Sequence, residues 1–260
     1  MLQVENFRKK INSGRPAIGC HCKWGDSSLV EVMAMSGFDF VWFDGEHGAM
    51  NIETLQNHFR AVQGHGVSAI YRVPWNDPVL VKPILELGVD GIIFPFVNSA
   101  ADAERAVKSC LYPPAGVRGF GPSRANGFGL MPMDEYFEET KKIFKIIQIE
   151  HIDAVNHIDE ILAVEGIDGV VIGQFDLSGS VGLLSQITHP TMLELVDMVA
   201  DKCRKAKIPF STAMGGADPD VVKAWFKRGA SFITLSSEMD FVREGSLGLL
   251  KLVNGLFDSL

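Results

Sequence analysis

The sequence predicts an α/β protein built as a single (β/α)8 TIM barrel over residues 1–260. Eight short apolar runs alternate with segments of helical periodicity, which is the pattern of repeated β-α units. Eight such units in 260 residues match the usual size of a closed barrel. An open, doubly wound sheet is the alternative, but no GxGxxG motif follows the first run. Hydrophobic residues, 47% of the chain, suffice for one large core.

The predicted strands are apolar runs that are nearly continuous rather than alternating. This pattern is typical of strands that are buried on both faces, as in parallel sheets. The runs cover residues 17–22, 38–44, 68–73, 90–96, 144–150, 168–173, 209–213 and 231–236.

The predicted helices lie between these strands. In one of them the apolar residues are Ile52, Leu55, Phe59 and Val62, a spacing that places them on one face of a helix. Several segments begin with a capping residue, and two end in glycine. They cover residues 51–62, 77–88, 99–111, 151–162, 189–206 and 218–229.

One connection, residues 112–132, is longer than the others and rich in glycine and proline. Loops of this length are uncommon in compact domains and are often functional. Arg118, Ser123 and Arg124 are candidate anion contacts in it. A surface loop without a function explains the segment equally well.

Charge and composition exclude several classes of protein. The net charge of −8 argues against a nucleic-acid surface, because binding to phosphates needs a basic footprint. The first residues contain no apolar signal-peptide core, and no run approaches the length of a membrane span. We therefore expect a cytoplasmic protein that binds neither nucleic acid nor membranes. The four cysteines are expected to be reduced, and Cys20-His21-Cys22 lacks the spacing of a zinc site.

Titratable residues follow several predicted strands, at the barrel end where chemistry is expected. Glu150 and Asp176 follow neighbouring strands, so their carboxylates should lie close together and repel each other. A bound Mg²⁺ or Mn²⁺ would relieve that repulsion, since both ions prefer oxygen ligands. Helix capping is the structural alternative for each residue alone. The pair together favours a metal site.

Arg72 and the segment Asp44-Gly45-Glu46-His47 complete this predicted set. Arg72 either binds an anionic oxygen of a substrate or forms a salt bridge with Asp44 or Glu46. His47 follows Asp44 by three residues, and Asp44 could orient its imidazole for general-base catalysis. We expect Glu46 to face a helix terminus or a neighbouring subunit. The flanking glycines are expected to let the backbone turn tightly there.

Several stretches together resemble the HpcH/HpaI aldolases, the metal-dependent class II pyruvate aldolases. The resemblance covers roughly residues 15–240 in the order and spacing of that family. The matching stretches are FDFVWFDGEHG, YRVPWNDPVLVKPILELGVDGIIFP, YPPAGVRGFGPSRA, QIEHIDAVNHIDEILAVEGIDGVVIGQFDLSGSVG and the His-Pro pair at 189–190. The chain departs from the family at Gln174-Phe175, where Pro-Ala or Pro-Tyr is common, and at the first strand end, CHCKWGD.

The resemblance implies a (β/α)8 barrel whose last helix is exchanged between subunits, in a hexamer of three dimers. It implies that Glu150 and Asp176 bind the divalent ion, Mg²⁺ or Mn²⁺, with Co²⁺ also possible. Arg72 would steady the pyruvate enolate, and His47 with Asp44 would form an acid/base dyad through a water. The remaining substrate contacts would be Gln148 and the segment Gly173, Gln174, Phe175 and Asp176, whose backbone N–H groups would receive the carboxylate of pyruvate.

The resulting functional prediction is a metal-dependent aldolase that reversibly cleaves a 4-hydroxy-2-oxo acid to pyruvate, or another 2-oxo acid, and an aldehyde through a metal-stabilised enolate. No lysine follows strands 5 or 6, and Lys145 begins strand 5, which argues against Schiff-base catalysis. Two alternatives stay open. One is another enolate-forming enzyme, such as a citrate synthase or a lyase for a different oxo acid. The other is a barrel that binds a small anion without catalysis.

Overall fold

The computed structural model describes residues 3–257 and confirms the closed barrel. Eight parallel strands follow one another around the barrel in chain order, and β8 pairs with β1. Each strand lies within two residues of its predicted bounds. The strands are β1 Ala17–Cys22, β2 Phe40–Asp44, β3 Ser68–Arg72, β4 Gly91–Phe94, β5 Phe144–Ile149, β6 Gly169–Ile172, β7 Phe210–Met214 and β8 Phe232–Ser237.

The helices surround the strands, and none in the described range is long and apolar enough to cross a bilayer. The segment 151–162, predicted as one helix, forms two short helices that meet at His157, where φ is −103° and ψ is 16°. The helices are α1 Val4–Ile11, α2 Ser27–Met35, α3 Ile52–Gln63, α4 Pro78–Glu86, α5 Ala100–Ser109, α6 Met133–Lys141, α7 Ile152–Asn156, α8 Ile158–Leu162, α9 Gln174–Ser180, α10 Pro190–Ala206, α11 Pro219–Arg228 and α12 Glu238–Phe257.

Aromatic side chains close the N-terminal end of the barrel. Phe7 of α1 is buried, and its ring packs edge-on against Phe40, Phe144 and Phe232 at centroid distances of 5.1, 5.1 and 5.4 Å. These rings belong to the core cluster that fills the barrel interior. The interior is thus a packed core at this end, which directs any ligand to the opposite end.

Three aspartates join neighbouring strands at the same N-terminal end. Asp39, Asp90 and Asp168 directly precede β2, β4 and β6. Their carboxylates accept the backbone N–H groups of Ile18, Ala69 and Lys145, at 2.8, 2.8 and 3.0 Å respectively. Each aspartate therefore ties its own strand to the strand before it.

The long connection 112–132 packs at the N-terminal end, away from the strand ends that carry Glu150 and Asp176. Arg118 is buried and donates to Glu86 Oε1 at 3.0 Å and to the hydroxyl of Tyr136 at 2.9 Å. Arg124 donates to the carbonyl of Leu87 and to Gln63 Oε1. Both arginines bind groups of the protein, which gives no support to their interpretation as anion contacts. Ser123 precedes a 3-10 helix at 124–126.

Candidate active site

Arg72 and Asp44 form the centre of the C-terminal end of the barrel. The two residues are direct partners in the pairing of β2 with β3. Arg72 donates from Nε to Asp44 Oδ1 at 3.0 Å and from Nη2 to Oδ2 at 2.7 Å. Its Nη1 lies 2.8 Å from Glu46 Oε2. Because both Arg72 and Asp44 are buried, this two-point pair fixes the plane of the guanidinium.

The turn after β2 is built around the carboxylate of Asp44. Asp44 Oδ1 accepts the backbone N–H groups of Glu46 and His47 at 3.1 and 3.2 Å. A Cβ on Gly48 would lie 2.1 Å from the carbonyl oxygen of Asp44, and one on Gly45 would lie 2.1 Å from the hydroxyl of Tyr71. The expected role of the two glycines is confirmed, and its cause is lack of space beside the turn.

His47 stands at the mouth of the site. Its side chain is 58% exposed, and its Nε2 lies 3.9 Å from Glu46 Oε2. Asp44 contacts the backbone of His47 and directs its carboxylate to Arg72, so the direct orientation of the imidazole by Asp44 is not observed. The expectation for Glu46 is also wrong. Its carboxylate faces Arg72, and burial raises its pKa despite the guanidinium.

Glu150 is a buried carboxylate just beyond the end of β5. Its Oε1 accepts the N–H of Phe96 at 2.7 Å, and its Oε2 accepts a hydrogen bond from Gln148 Nε2. Burial raises the pKa of Glu150 to about 8, and the charges of Glu46 and Asp176 act in the same direction. Three carboxylates therefore influence one another in this part of the site.

Asp176 lies in the first turn of α9, the helix that follows β6. Its side chain is exposed, unlike that of Glu150. Gln174 precedes it and donates from Nε2 to Thr212 Oγ1 at 3.0 Å, whereas Phe175 is 51% exposed. The N–H groups of Gln174 and Phe175 belong to the first helical turn, where no intrahelical partner exists for them. They are therefore available to an anionic group.

The residues present fit a divalent metal ion. Glu150 and Asp176 offer carboxylate oxygens, which are the ligands that Mg²⁺ and Mn²⁺ prefer. The Oε1 atom of Gln148 is buried without a hydrogen-bond partner. A Cβ on Gly173 would lie 2.8 Å from Glu150 Oε2, so glycine keeps the space beside this carboxylate free. No cluster of three or more candidate ligand residues (His, Cys, Asp or Glu) is found among residues 3–257, so two carboxylates would leave positions for water and substrate.

The end of β1 adds residues that the sequence had not assigned. The ring of His21 lies 4.6 Å from that of Trp42 inside the barrel, and burial lowers its pKa to about 4. Lys23 Nζ lies 3.7 Å from Asp44 Oδ2. Glu238, at the end of β8, accepts the N–H groups of Lys23 and Trp24, both at 2.6 Å. The stretch CHCKWGD was the sequence signal for these residues, because it departs from the family pattern. Nothing in it predicted the contact with Glu238, the first residue of α12.

The neighbouring thiols and Lys145 behave as predicted. Cys20 and Cys22 are free and buried, and burial raises their pKa values above the ordinary range of a thiol. Lys145 Nζ lies 2.8 Å from Asp168 at the N-terminal end of the barrel. Its position gives no support to a Schiff-base mechanism at the opposite end.

Comparison with known proteins agrees with this geometry. The model of the family described as HpcH/HpaI aldolase/citrate lyase matches residues 18–244. The chain belongs to this family. The 5-keto-4-deoxy-D-glucarate aldolase of Salmonella arizonae is 32% identical over 241 residues, which cover 92% of this chain and 93% of that protein.

Two solved structures superpose over nearly the whole chain. A family protein from Burkholderia cenocepacia has a TM-score of 0.90 and 25% identity, and covers 96% of this chain and 99% of its own. The citrate synthase SbnG has a TM-score of 0.85 and 27% identity, and covers 96% of this chain and 98% of its own. The predicted fold, family and reaction class, a carbon–carbon lyase of the class II aldolase type, are confirmed. HpcH/HpaI enzymes generally depend on a divalent metal ion.

Proposed function

We propose that this HpcH/HpaI enzyme cleaves a 4-hydroxy-2-oxo acid reversibly to pyruvate and an aldehyde, with Mg²⁺ or Mn²⁺ held by Glu150 and Asp176. The observation that carries the proposal is the buried carboxylate of Glu150, which lies in the field of Asp176 and of the fixed guanidinium of Arg72. Such a site combines oxygen ligands for a metal ion with the positive charge of Arg72. The metal ion and the guanidinium would both stabilise negative charge that develops on a 2-oxo acid.

A metal ion held by Glu150 and Asp176 would supply Lewis-acid polarisation of the 2-keto group. Arg72 is oriented by Asp44 and Glu46, so its N–H groups can stabilise charge on the same keto oxygen without reorganisation. The N–H groups of Gln174 and Phe175, with Gly173 before them, receive the carboxylate of the substrate. Gln148 lies below and holds Glu150 in place by its hydrogen bond.

His47, whose side chain is exposed at the mouth of the site, is the acid/base group of this proposal. In cleavage it takes the proton of the 4-hydroxyl, directly or through a water, as the C3–C4 bond breaks and the aldehyde forms. The electron pair of that bond moves towards the 2-keto group, and C3 then takes up a proton to give pyruvate. Asp44 supports this step by accepting the backbone N–H of His47, which fixes the turn that carries the imidazole. The family resemblance implies a second contact, through a bridging water.

Assembly with further copies of the chain is part of the proposal. Helix α12 leaves the barrel, and its side chains are exposed from Phe241 onwards within the described range. The exposed apolar residues include Leu247, Leu249, Leu250, Leu252, Leu256 and Phe257. An apolar face of this extent favours packing against another copy, as in the exchange of the last helix and the hexamer that the sequence resemblance implies.

The test follows the methyl protons of pyruvate in D₂O by NMR. We expect exchange with Mg²⁺ or Mn²⁺, loss of exchange on chelation, and recovery when the ion is restored. Glu150→Gln should reduce the rate at least about 100-fold, because it removes a charged ligand, whereas Glu104→Gln on the surface of α5 should not change it. Exchange that survives complete removal of the metal would contradict the metal site.

Product analysis distinguishes the related chemistries. Formation of a 4-hydroxy-2-oxo acid from pyruvate and an aldehyde supports the aldolase. Formation of citrate from oxaloacetate and an acyl-CoA would instead support a citrate synthase. Binding of pyruvate without exchange or product would favour a barrel that only binds a small anion.

A further inference from the structure

Lys23 is held over the active site by contacts on both sides. Its backbone N–H and that of Trp24 donate to Glu238 Oε1, and its carbonyl accepts the N–H of Ala49 at 3.2 Å. Glu238 is only 2% exposed, so the anchor lies inside the protein. The backbone of Lys23 is therefore fixed between the end of β8 and the turn that follows β2.

The ammonium group of Lys23 is not needed to neutralise Asp44. Asp44 already accepts two hydrogen bonds from Arg72 and two from backbone N–H groups. The distance of 3.7 Å from Lys23 Nζ to Asp44 Oδ2 exceeds that of a hydrogen bond. The side chain is 31% exposed at the mouth of the site. Its donors are thus available to a ligand.

Lys23 lies beside the turn that carries His47, because its carbonyl accepts the N–H of Ala49 and its Nζ lies 3.7 Å from Asp44 Oδ2. His47 is the group proposed to act on the 4-hydroxyl, so the part of the substrate that becomes the aldehyde lies at this turn and within reach of Lys23. Residues 215–218, 238–240 and 23–26 follow β7, β8 and β1, and Lys23 is the one lysine or arginine among them. The acidic residues there are Asp26, Asp218, Glu238 and Asp240, and the carboxylate of each accepts a hydrogen bond from at least one backbone N–H group.

We propose that Lys23 selects an anionic aldehyde by binding its carboxylate, which is the distal carboxylate of a dicarboxylic 4-hydroxy-2-oxo acid in the cleavage direction. This inference rests on the proposed aldolase function. An ammonium group pairs with a carboxylate as a point charge, and the hydrogen bond between them is charge-assisted. A neutral aldehyde of the same size has no group for this contact.

The experiment compares glyoxylate with glycolaldehyde, an anionic and a neutral two-carbon aldehyde, as acceptors for pyruvate. In Lys23→Met we expect kcat/KM to fall about 10-fold or more for glyoxylate and to change less than about 3-fold for glycolaldehyde. Lys23→Arg should recover part of the glyoxylate activity. Lys10→Met is the matched control, because Lys10 lies 3.2 Å from Asp39 at the opposite end of the barrel.

Exchange of the methyl protons of pyruvate in the same variants separates the two proposals. Normal exchange with a selective loss for glyoxylate supports the role of Lys23. Normal exchange with an equal loss for both aldehydes, or with no loss, overturns it. Absence of exchange in the unsubstituted enzyme overturns the aldolase proposal itself, and the role of Lys23 with it.

Discussion

The buried pair of Asp44 and Arg72 gives the sharpest quantitative test of the site. We consider Asp44→Asn, which removes the negative charge and keeps the shape of the side chain. The amide oxygen can still accept the N–H groups of Glu46 and His47, so the turn after β2 is expected to persist. Arg72, 7% exposed, is then left with a single carboxylate partner, Glu46.

The expected cost in the free energy of unfolding is about 3 kcal/mol. Breaking a buried ion pair by removing one partner costs about 3–5 kcal/mol, and the low end applies because Glu46 stays 2.8 Å from Arg72. In a protein of this size such a loss corresponds to a decrease of roughly 6–12 °C in melting temperature. Asp153→Asn is the control, because that exposed residue pairs only weakly with His151, and we expect a change within about 0.5 kcal/mol.

The pH dependence follows from the direction of the pKa shift. Burial acts to raise the pKa of Asp44, but the hydrogen bonds and charge of Arg72 hold it below its ordinary value. A lowered pKa gives stability that is present above the pKa of the unfolded state and is lost as pH falls through that of the folded state.

Urea denaturation at several pH values measures the difference in free energy of unfolding between the unsubstituted protein and Asp44→Asn. We expect this difference to be constant from pH 8 to pH 5 and to shrink only below about pH 4, near the ordinary pKa of aspartate. A loss below about 1 kcal/mol at pH 7, or a difference that grows in acid, would refute this account of the pair.

Three further substitutions test other parts of the structure. Phe7→Ala should cost about 3–5 kcal/mol in urea denaturation, because the ring is buried, while kcat/KM per folded molecule stays unchanged; a selective fall in kcat/KM would contradict the separation of the two barrel ends. Gly48→Ala should lower kcat on the order of 100-fold, since a Cβ there would lie 2.1 Å from the carbonyl of Asp44, and Gly121→Ala, with open space around it, should not. Leu252→Glu in the exposed face of α12 should reduce the molar mass measured by light scattering, and an unchanged mass would argue against assembly through this face.

The strands were predictable because burial on both faces produces continuous apolar runs, and eight such runs leave few topologies. The helices were less predictable from the sequence than the strands. The charged helix α1 buries only Val4 and Phe7, which gives too few apolar positions for a visible period. The break at His157 separates two short helices within one regular pattern. Tertiary packing decides both features.

The candidate site residues could be predicted because parallel strands bring their C-terminal ends together. The pairings between their side chains could not be predicted from the sequence. Asp44 pairs with Arg72 rather than with the imidazole of His47, and this depends on the register of β2 against β3. The contact of Glu238 with the backbone of Lys23 joins residues 215 positions apart in sequence, so no local pattern predicts it.

The aspartates Asp39, Asp90 and Asp168 divide the barrel into units. Each one closes a pair of consecutive strands at the N-terminal end, β1 with β2, β3 with β4, and β5 with β6. The carboxylates that link β2 with β3 and β4 with β5, those of Asp44 and Glu150, lie at the opposite end. New chain termini placed in the connections between pairs would therefore keep both partners of each of the three N-terminal links within one continuous segment. A circular permutation that opens the chain between β2 and β3 should refold more readily than one that opens it between β3 and β4. For the same reason, a hybrid of two barrels should fold more readily when strands are exchanged in whole pairs.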